Sequence, residues 1–224
     1  MLFLQKTDRQ FIAEVIFTRV VKNPEERREE ILDTAERLFA SRGYGTTTIN
    51  DILGAIGIAK GTFYYYYKSK EEVMDAIIMR KVASQVAEVE KIAGDEYLSV
   101  TEKVFSFLMM LRDANQASEA SRPDNAEMQQ KSLVALVRNL SPVMARVVEQ
   151  GKREGMLTTE YPLEAVELLL VAVKMIFDES LFTWTSEERT ARARAFATTM
   201  EASLGSPKGS FNFVAEMLSG YPAM

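Results

Sequence analysis

One segment of the sequence, residues 46–70, constrains the fold more than any other. Thr48 stands before apolar residues at helical spacing, so its hydroxyl can cap the first amides of a helix that begins there. That helix should end at Gly57, because glycine readily adopts the left-handed conformation in which helices end. Phe63 and Tyr67, which stand one helical turn apart, predict the inner face of a second short helix. Two short helices that cross at a tight turn are typical of a helix-turn-helix that binds DNA.

The outward side chains of the second helix would form one exposed surface suited to DNA. Lys60 supplies a cation for a phosphate group, and Gly61 lets the backbone come close to a duplex. The hydroxyls and flat rings that follow can hydrogen-bond base edges and contact thymine methyl groups. Ser69 can cap the next helix and thereby place the Lys70 ammonium within reach of a phosphate. The predicted surface on the second helix comprises Lys60, Gly61, Thr62, Tyr64, Tyr65 and Tyr66.

Residues 27–81 resemble the DNA-binding domain of the tetracycline-repressor (TetR) family of transcriptional regulators. The resemblance runs from the apolar residues of a first helix, Ile31 to Phe39, through Gly43 and Tyr44 to a long motif. From residue 57, that motif reads Gly-Ile-Ala-Lys-Gly-Thr-Phe-Tyr-Tyr-Tyr-Tyr-Lys-Ser-Lys-Glu-Glu-Val. In this family the second and third helices read DNA, and a lysine at the start of the fourth helix holds a phosphate. The resemblance implies these roles for Thr48, Asn50, Lys60, Thr62, Tyr64, Tyr65, Tyr66 and Lys70.

The rest of the chain also has the pattern of helices. Apolar residues after residue 70 recur at helical spacing, as in Val73, Ile77 and Ile78, and no segment shows sustained alternation. We therefore expect an all-α fold with an N-terminal three-helix helix-turn-helix domain and a C-terminal helical domain for ligand binding and dimerisation. The DNA-binding domain should cover residues 23–70, and the effector-binding and dimerisation domain residues 71–224.

Proline and apolar spacing predict the helices in three further parts of the chain. Pro142 should separate a helix at residues 125–139 from one at 141–154, because proline removes a backbone hydrogen bond and often starts a helix. One long helix should cover residues 162–183. Residues 1–22 precede the DNA-binding domain, and their apolar spacing allows either an additional helix or an arm that lies along DNA or a partner.

Composition excludes several classes of function. The sequence of 224 residues contains no cysteine and no histidine, which excludes disulfides, metal sites built on thiolate or imidazole, and catalysis by a nucleophile–histidine pair. We therefore expect no catalytic residues, no metal and no cofactor, since an enzyme would have to use carboxylates, lysine or tyrosine alone. No uncharged apolar run approaches the roughly 18 residues of a membrane span, and residues 1–4 do not begin a cleavable signal. These observations favour a cytoplasmic protein without a membrane partner.

Charge is distributed unevenly along the chain. The whole sequence has a net charge of −5, yet within residues 42–70 the cations outnumber the single carboxylate of Asp51. These cations are Arg42, Lys60, Lys68 and Lys70. A locally positive surface on an acidic body directs one end of the molecule to DNA and repels the other. The alternative is an ordinary solvated surface.

The helix expected at residues 162–183 is apolar nearly all round, so both of its sides should be buried. One side can contact its own domain and the other a second subunit. The helix after it carries a narrow stripe of small residues, against which another helix can pack closely. Two such helices from each subunit would form a four-helix homodimer interface; the alternative is that both are core helices of a monomer. The candidate interface residues are Val166, Leu170, Val173, Ala193, Ala197 and Met200.

Large, soft side chains in the second domain are candidates for an effector pocket. A methionine-rich lining adapts to apolar ligands of varied shape, although such a stripe is often ordinary core. The effector would be a small apolar or amphipathic molecule that composition does not identify. The candidate ligand-binding residues are Phe105, Met109, Met144, Met175, Phe177 and Phe182.

Together these observations predict a homodimeric helical transcription factor, most simply a repressor that a small molecule releases from a palindromic double-stranded DNA operator. Ligand would shift the fourth helix and change the separation of the two DNA-binding surfaces, which must match successive major grooves about 34 Å apart. Two alternatives stay open. One is an activator or effector-independent regulator of the same fold; the other is a helical protein-interaction module or enzyme that does not bind DNA.

Overall fold

The computed structural model describes residues 23–116 and 126–220, and this part of the chain folds into nine helices without a strand. They are α1 (Pro24–Arg42), α2 (Ile49–Ile56), α3 (Lys60–Tyr66), α4 (Lys70–Gly94), α5 (Val100–Gln116), α6 (Ala126–Arg153), α7 (Pro162–Ile176), α8 (Ser186–Leu204) and α9 (Asn212–Ser219). The prediction of an all-α fold is therefore confirmed, whereas the prediction for residues 1–22 lies outside the described residues. Among the described helices, none combines the length and the apolar character that a bilayer span requires.

The first three helices form a small cluster around large apolar side chains. Phe39 of α1, Ile52 of α2 and Phe63 of α3 are almost completely buried at its centre. Val73 and Ile77 on the first turns of α4 are buried as well, so α4 closes the cluster. Full burial of one such side chain contributes about 1.5–3 kcal/mol. The first three helices and the start of α4 therefore share one core.

An ion-pair network links α1 to α4. Arg80 on α4 lies 2.5 Å from Glu29 and 2.8 Å from Asp33, both on α1. It also lies 2.7 Å from Glu36, and Lys81 lies 2.6 Å from the same carboxylate. Burial raises the pKa of Glu36, but the hydrogen bonds from Lys81 and Arg80 outweigh burial and leave this pKa below its usual value. The network therefore holds α1 against α4 most firmly when Glu36 is ionised.

The helices α4 and α6 run parallel in a fixed register. Lys131 of α6 lies 3.0 Å from Asp75 of α4. Further along both helices, Arg146 of α6 pairs with Glu90 of α4. Both pairs join residues that are 56 positions apart, so the two helices advance together in the same direction. The intervening helix α5 returns the chain between them.

A buried lysine joins the far ends of these helices. Lys103 of α5 is almost fully buried, and its ammonium donates to the Ala93 carbonyl at 2.8 Å and to the Gln150 side-chain oxygen at 2.7 Å. A buried ammonium is tolerated only when such acceptors replace its water. The C-terminal end of α4 is therefore fixed to α5 and α6 at one point.

The predicted break at Pro142 is wrong, because α6 continues through this residue. Proline inside a helix removes one backbone hydrogen bond and costs about 3 kcal/mol. On both sides of Pro142, however, α6 buries apolar side chains such as Leu140 and Val143. Burial of the helix outweighs the local cost of the proline, and the local sequence pattern does not reveal that balance.

The helix predicted at residues 162–183 is shorter than expected, since α7 stops at Ile176. The indole nitrogen of Trp184 donates to the Ile176 carbonyl at 2.8 Å and satisfies a group at the helix end. Asp178 accepts hydrogen bonds from the backbone N–H and the hydroxyl of Ser180 at 2.8 Å and 2.6 Å, which forms a turn. These polar contacts end the helix although the apolar spacing continues beyond it.

A buried carboxylate positions the last helix. Glu201 on α8 is almost fully buried and accepts the backbone N–H groups of Gly209 at 2.8 Å and Phe211 at 3.0 Å. α9 begins directly after these residues and packs against α8. On its other side, the Phe213 ring lies 5.9 Å from the Phe105 ring of α5. α9 thus covers part of both α5 and α8.

The variant Arg80→Met should weaken the link between α1 and α4. We expect a loss of about 1 kcal/mol of unfolding free energy at neutral pH, because one guanidinium serves three carboxylates. The stabilisation that Glu36 contributes is complete above its usual pKa of 4.5 and is lost as the pH falls through its lowered pKa. In urea unfolding experiments, the difference between wild type and variant should therefore shrink in acid.

The control for this experiment is Arg146→Met, which removes a single exposed ion pair with Glu90. This change should cost only about 0.3 kcal/mol. Equal losses for the two variants would contradict the network, as would a difference between wild type and Arg80→Met that grows as the pH falls.

Candidate nucleic-acid interface

The sequence predicts that the Thr48 hydroxyl caps α2, and the structure shows a reciprocal cap between Thr48 and Asp51. The Thr48 hydroxyl accepts the backbone N–H of Asp51 at 3.2 Å. The Asp51 carboxylate accepts the backbone N–H of Thr48 at 2.8 Å and its hydroxyl at 2.6 Å. These hydrogen bonds lower the pKa of the Asp51 carboxyl. Because its hydroxyl proton is already engaged, Thr48 retains a methyl group and one oxygen lone pair for contacts outside the chain.

Gly57 forms the turn between α2 and α3. Its φ of 75° lies in the left-handed region, and its N–H donates to the Leu53 carbonyl at 2.8 Å. A side chain at this position would strain the backbone, which accounts for the glycine. Ala59 precedes the first residue of α3 and offers no side-chain hydrogen bond to the helix start. The turn therefore lets α3 begin almost directly after α2.

Two aromatic side chains fix the inner face of α3. Phe63 and Tyr67 are buried, and their ring centroids lie 6.3 Å apart. The Tyr67 hydroxyl accepts a hydrogen bond from Nε of Arg28 on α1 at 3.2 Å. Burial raises the pKa of Tyr67, and the Arg28 guanidinium partly opposes this increase. α3 cannot rotate about its axis without exposing a buried ring, so its outward residues keep one direction.

The outward face of α3 presents aromatic rings beside a cation. Tyr65 is 78% exposed and Tyr64 is 45% exposed. The half-buried Tyr66 ring meets Tyr65 edge to face, with 5.0 Å between the centroids. The Lys60 ammonium lies 5.8 Å from the centroid of the Tyr64 ring, so the cation and the ring share one side of the helix. A group of exposed aromatic rings is typical of a surface that contacts a partner.

Lys70 has a structural role that the sequence does not reveal. Its ammonium donates to the Tyr44 carbonyl at 2.7 Å and to the Thr47 carbonyl at 2.9 Å. The same ammonium lies 4.2 Å from the centroid of the Tyr44 ring. An ammonium has three N–H donors, so one of them is left for a phosphate group. Lys70 thus fixes the loop between α1 and α2 to the start of α4.

The predicted DNA-binding residues differ in exposure. The exposed members are Thr48, Asn50, Lys60, Gly61, Tyr64 and Tyr65. The half-buried members are Thr62, Tyr66 and Lys70. Arg42 at the end of α1 was not among them, yet it is exposed and lies 3.6 Å from Asp51 beside the start of α2. Its place among the cations of residues 42–70 is the one signal in the sequence that points to it.

The candidate ligand-binding residues lie in different surroundings. The Phe177 ring lies 6.1 Å from the Phe196 ring of α8. Phe182 is stacked on Trp184, with 5.0 Å between the ring centroids. The other candidates are the buried Met144, the half-buried Met109, and the exposed Phe105 and Met175. A role in ligand binding stays a prediction for all six residues.

The candidate interface residues are for the most part buried inside the chain. Buried members are Val166, Leu170, Ala193, Ala197 and Met200, and Val173 is half-buried against the same core. The expectation that these side chains face a partner is corrected accordingly, because the small-residue stripe of α8 packs within its own chain. The large apolar residues and alanines that these two helices leave exposed are Leu163, Leu168, Val171 and Met175 on α7, and Ala191, Ala195 and Ala202 on α8.

Known proteins resemble this chain in both sequence and fold. Residues 31–77 match the family of bacterial regulatory proteins, tetR family, and residues 109–199 match the tetracyclin repressor-like C-terminal domain. The HTH-type transcriptional repressor KstR2 of Rhodococcus jostii is 48% identical over 52 residues, which cover 23% of this chain and 26% of KstR2. The fatty acid metabolism regulator protein of Bacillus subtilis is 26% identical over 172 residues, which cover 71% of this chain and 84% of that protein.

The alignment with KstR2 therefore spans about a quarter of the length of that relative. The crystal structure of RolR in complex with the ligand resorcinol covers 89% of this chain and 97% of its own, with a TM-score of 0.59 and 21% identity. That likeness shows a common fold. Because a TetR amino-terminal match and a TetR carboxy-terminal match follow each other on this fold, the chain belongs to the tetracycline-repressor (TetR) family.

Proposed function

We propose that the protein is a homodimeric transcriptional repressor that binds a palindromic DNA operator through α2 and α3 of each protomer. The observation that carries this proposal is the outward face of α3, where Lys60, Tyr64 and Tyr65 are exposed on a helix fixed by buried rings. Membership of a family of transcriptional regulators supports it, as does the repressor function in the name of KstR2. Because its target is chromosomal DNA, we expect the protein in the cytoplasm.

The side chains of this surface can contact both the phosphate groups and the base edges of DNA. Lys60 and Arg42 supply cations for phosphate groups, and Asn50 supplies an amide that can donate and accept hydrogen bonds. The tyrosine hydroxyls can bond base edges, while the rings can contact thymine methyl groups. Lys70 would contact phosphate with its remaining donor and at the same time hold the loop before α2.

The exposed residues of α7 and α8 support a dimer through these two helices. Leu168 is 73% exposed in the single chain, and Val171 and Met175 follow it at helical spacing. On α8, Ala191 and Ala195 are exposed one turn apart. An apolar stripe beside a stripe of small residues allows two helices of a second protomer to pack closely against them. We therefore move the proposed interface from the buried residues to this exposed face.

Release by a small molecule is the part of the proposal that concerns regulation. α4 closes the cluster of α1 to α3 and also packs against α6, so a ligand that moves α4 would change the separation of the two α3 helices. RolR has this fold and was crystallised with a small aromatic ligand, resorcinol. We propose residues 23–70 as the DNA-binding unit and residues 71–224 as the unit that binds the effector and the second protomer.

The experiment that tests the proposal is selection of operator DNA from genomic fragments, followed by footprinting. We expect protection of a palindrome whose half-sites lie about 10 base pairs apart, or a multiple of that spacing. Protection over a promoter would agree with repression, and protection upstream of it would favour an activator of the same fold. Failure to select any fragment would favour a protein-interaction module.

Tyr65→Ala tests whether α3 reads base sequence. We expect operator binding to weaken by about 1–3 kcal/mol and binding to random duplex to change less, because a base-edge contact is sequence-specific. Fluorescence anisotropy at several salt concentrations measures both. The control is Tyr97→Ala, since Tyr97 is 98% exposed in the α4–α5 loop. Equal losses on operator and random DNA would remove Tyr65 from sequence recognition.

Lys70→Ala tests the double role of this lysine. Two backbone carbonyls lose their donor, so we expect a loss of about 1–2 kcal/mol of unfolding free energy. DNA affinity should fall equally for operator and random duplex, because a phosphate contact carries no sequence information. Lys68→Ala is the control for the unfolding free energy, as Lys68 is an exposed cation two positions away. An unchanged unfolding free energy for Lys70→Ala would contradict the structural role.

Leu168→Glu tests the proposed dimer. The variant places a charge on a face that is exposed in the single chain but buried in the dimer, so it should dissociate the dimer and leave each chain folded. Sedimentation velocity should then detect monomers, with unchanged circular dichroism. Operator affinity should fall at least tenfold, because each half-site loses the linked second contact. Tyr97→Glu is the matched exposed control, and a Leu168→Glu variant that stays dimeric would exclude this face.

A further inference from the structure

An open cleft lies between α4 and α6. Its volume is about 530 Å³, which falls in the range that holds a small organic ligand. The residues that line it come from the first half of α4 and the first half of α6: Asp75, Ile78, Met79, Glu127, Gln130, Lys131, Val134, Ala135, Arg138 and Asn139. The candidate DNA-binding, interface and ligand-binding residues are absent from this lining.

The middle of the cleft is apolar and open to solvent. Met79 on α4 is 48% exposed, and Val134 on α6 is 46% exposed. Ile78 and Ala135 form the floor between them, where α4 and α6 meet. An apolar group that covers exposed apolar side chains on two neighbouring helices removes their surface from water, which is favourable. The cleft therefore favours a ligand with an apolar body.

The two ends of the cleft differ in charge. At one end, Lys131 lies 2.6 Å from Glu71 and 3.0 Å from Asp75, with Glu127 at 4.0 Å, so carboxylates outnumber the ammonium there. At the other end, Arg138 is exposed and forms no ion pair with a residue of the described ranges. An arginine binds a carboxylate through two parallel hydrogen bonds. A single anionic group is therefore attracted to the Arg138 end and repelled from the Lys131 end.

We propose that this cleft binds a small amphipathic carboxylate, with its carboxylate on Arg138 and its apolar body between Met79 and Val134. The consequence for regulation rests on the proposed DNA-binding function. The ligand lies between α4 and α6, next to the ion pairs of Lys131 that hold the first turns of α4 to α6. A body that separates the helices stretches these ion pairs and moves the end of α4 that closes the α1–α3 cluster. Occupancy of the cleft therefore weakens operator binding.

Calorimetric titration of the full chain with octanoate tests the site without DNA. Octanoate should bind, while octanol, which has the same apolar body but lacks the charge, should bind at least tenfold more weakly. Arg138→Gln should lower octanoate affinity about tenfold, and Val134→Asp should abolish binding. Arg146→Gln alters an arginine on the same helix outside the cleft and should bind like wild type. Absence of octanoate binding, wild-type affinity in both the Arg138→Gln and the Val134→Asp variant, or binding of octanol as tight as that of octanoate would overturn the site.

A second titration tests the link to DNA. Octanoate should lower the operator affinity of wild type about tenfold and leave that of Arg138→Gln unchanged. Operator binding measured without octanoate separates the two proposals: if it is intact but octanoate has no effect, the regulatory inference fails and the proposed function stands. If the protein binds no operator, the proposed function fails, and calorimetry still decides whether the cleft is a ligand site.

Discussion

Burial of the first turns of α4 is the constraint on which the other contacts depend. Val73, Met74 and Ile77 are completely buried, so this part of α4 belongs to the core of the α1–α3 cluster. The remainder of the same helix packs against α6. A single continuous helix, rather than a flexible linker, thus joins the cluster to the rest of the described chain. α4 packs against α1 and shares the core that holds α3, so a movement of α4 acts on the whole cluster.

The helix-turn-helix could be predicted from sequence because its determinants are local. The cap at Thr48, the left-handed turn at Gly57 and the buried pair of Phe63 and Tyr67 each depend on residues within about one helical turn. The Lys70 contact with the Tyr44 carbonyl could not be predicted in the same way. It joins residues 26 positions apart and exists only because α4 packs beside the loop before α2.

The sequence predicts that the carboxy-terminal half is helical. It does not predict which helix faces are buried or where α7 ends, because contacts between distant parts of the chain determine both. Apolar spacing identifies a helix with two apolar sides, but it does not tell which side meets the chain's own core. The structure buries Ala193 and Ala197, which the sequence predicts at a subunit interface, and it leaves Leu168 exposed. Likewise, the hydrogen bond from Trp184 that ends α7 joins groups that only the folded chain brings together. In the sequence, Arg138 is an ordinary surface cation. Only its position in the cleft beside α4 makes it a candidate to bind a carboxylate.

The parallel register of α4 and α6 determines which movement of α4 costs the least free energy. A slide of one residue along the axis would break the pairs of Lys131 and Arg146 together, whereas a tilt about the end fixed by Lys103 keeps the Arg146 pair and the helix itself intact. From Ala93 to Lys70, α4 is a lever about 35 Å long. A tilt of about 5° therefore displaces its far end by about 3 Å. In the proposed symmetric dimer the two displacements would add, so a tilt of a few degrees in each protomer would shift the two α3 helices relative to the grooves of a duplex.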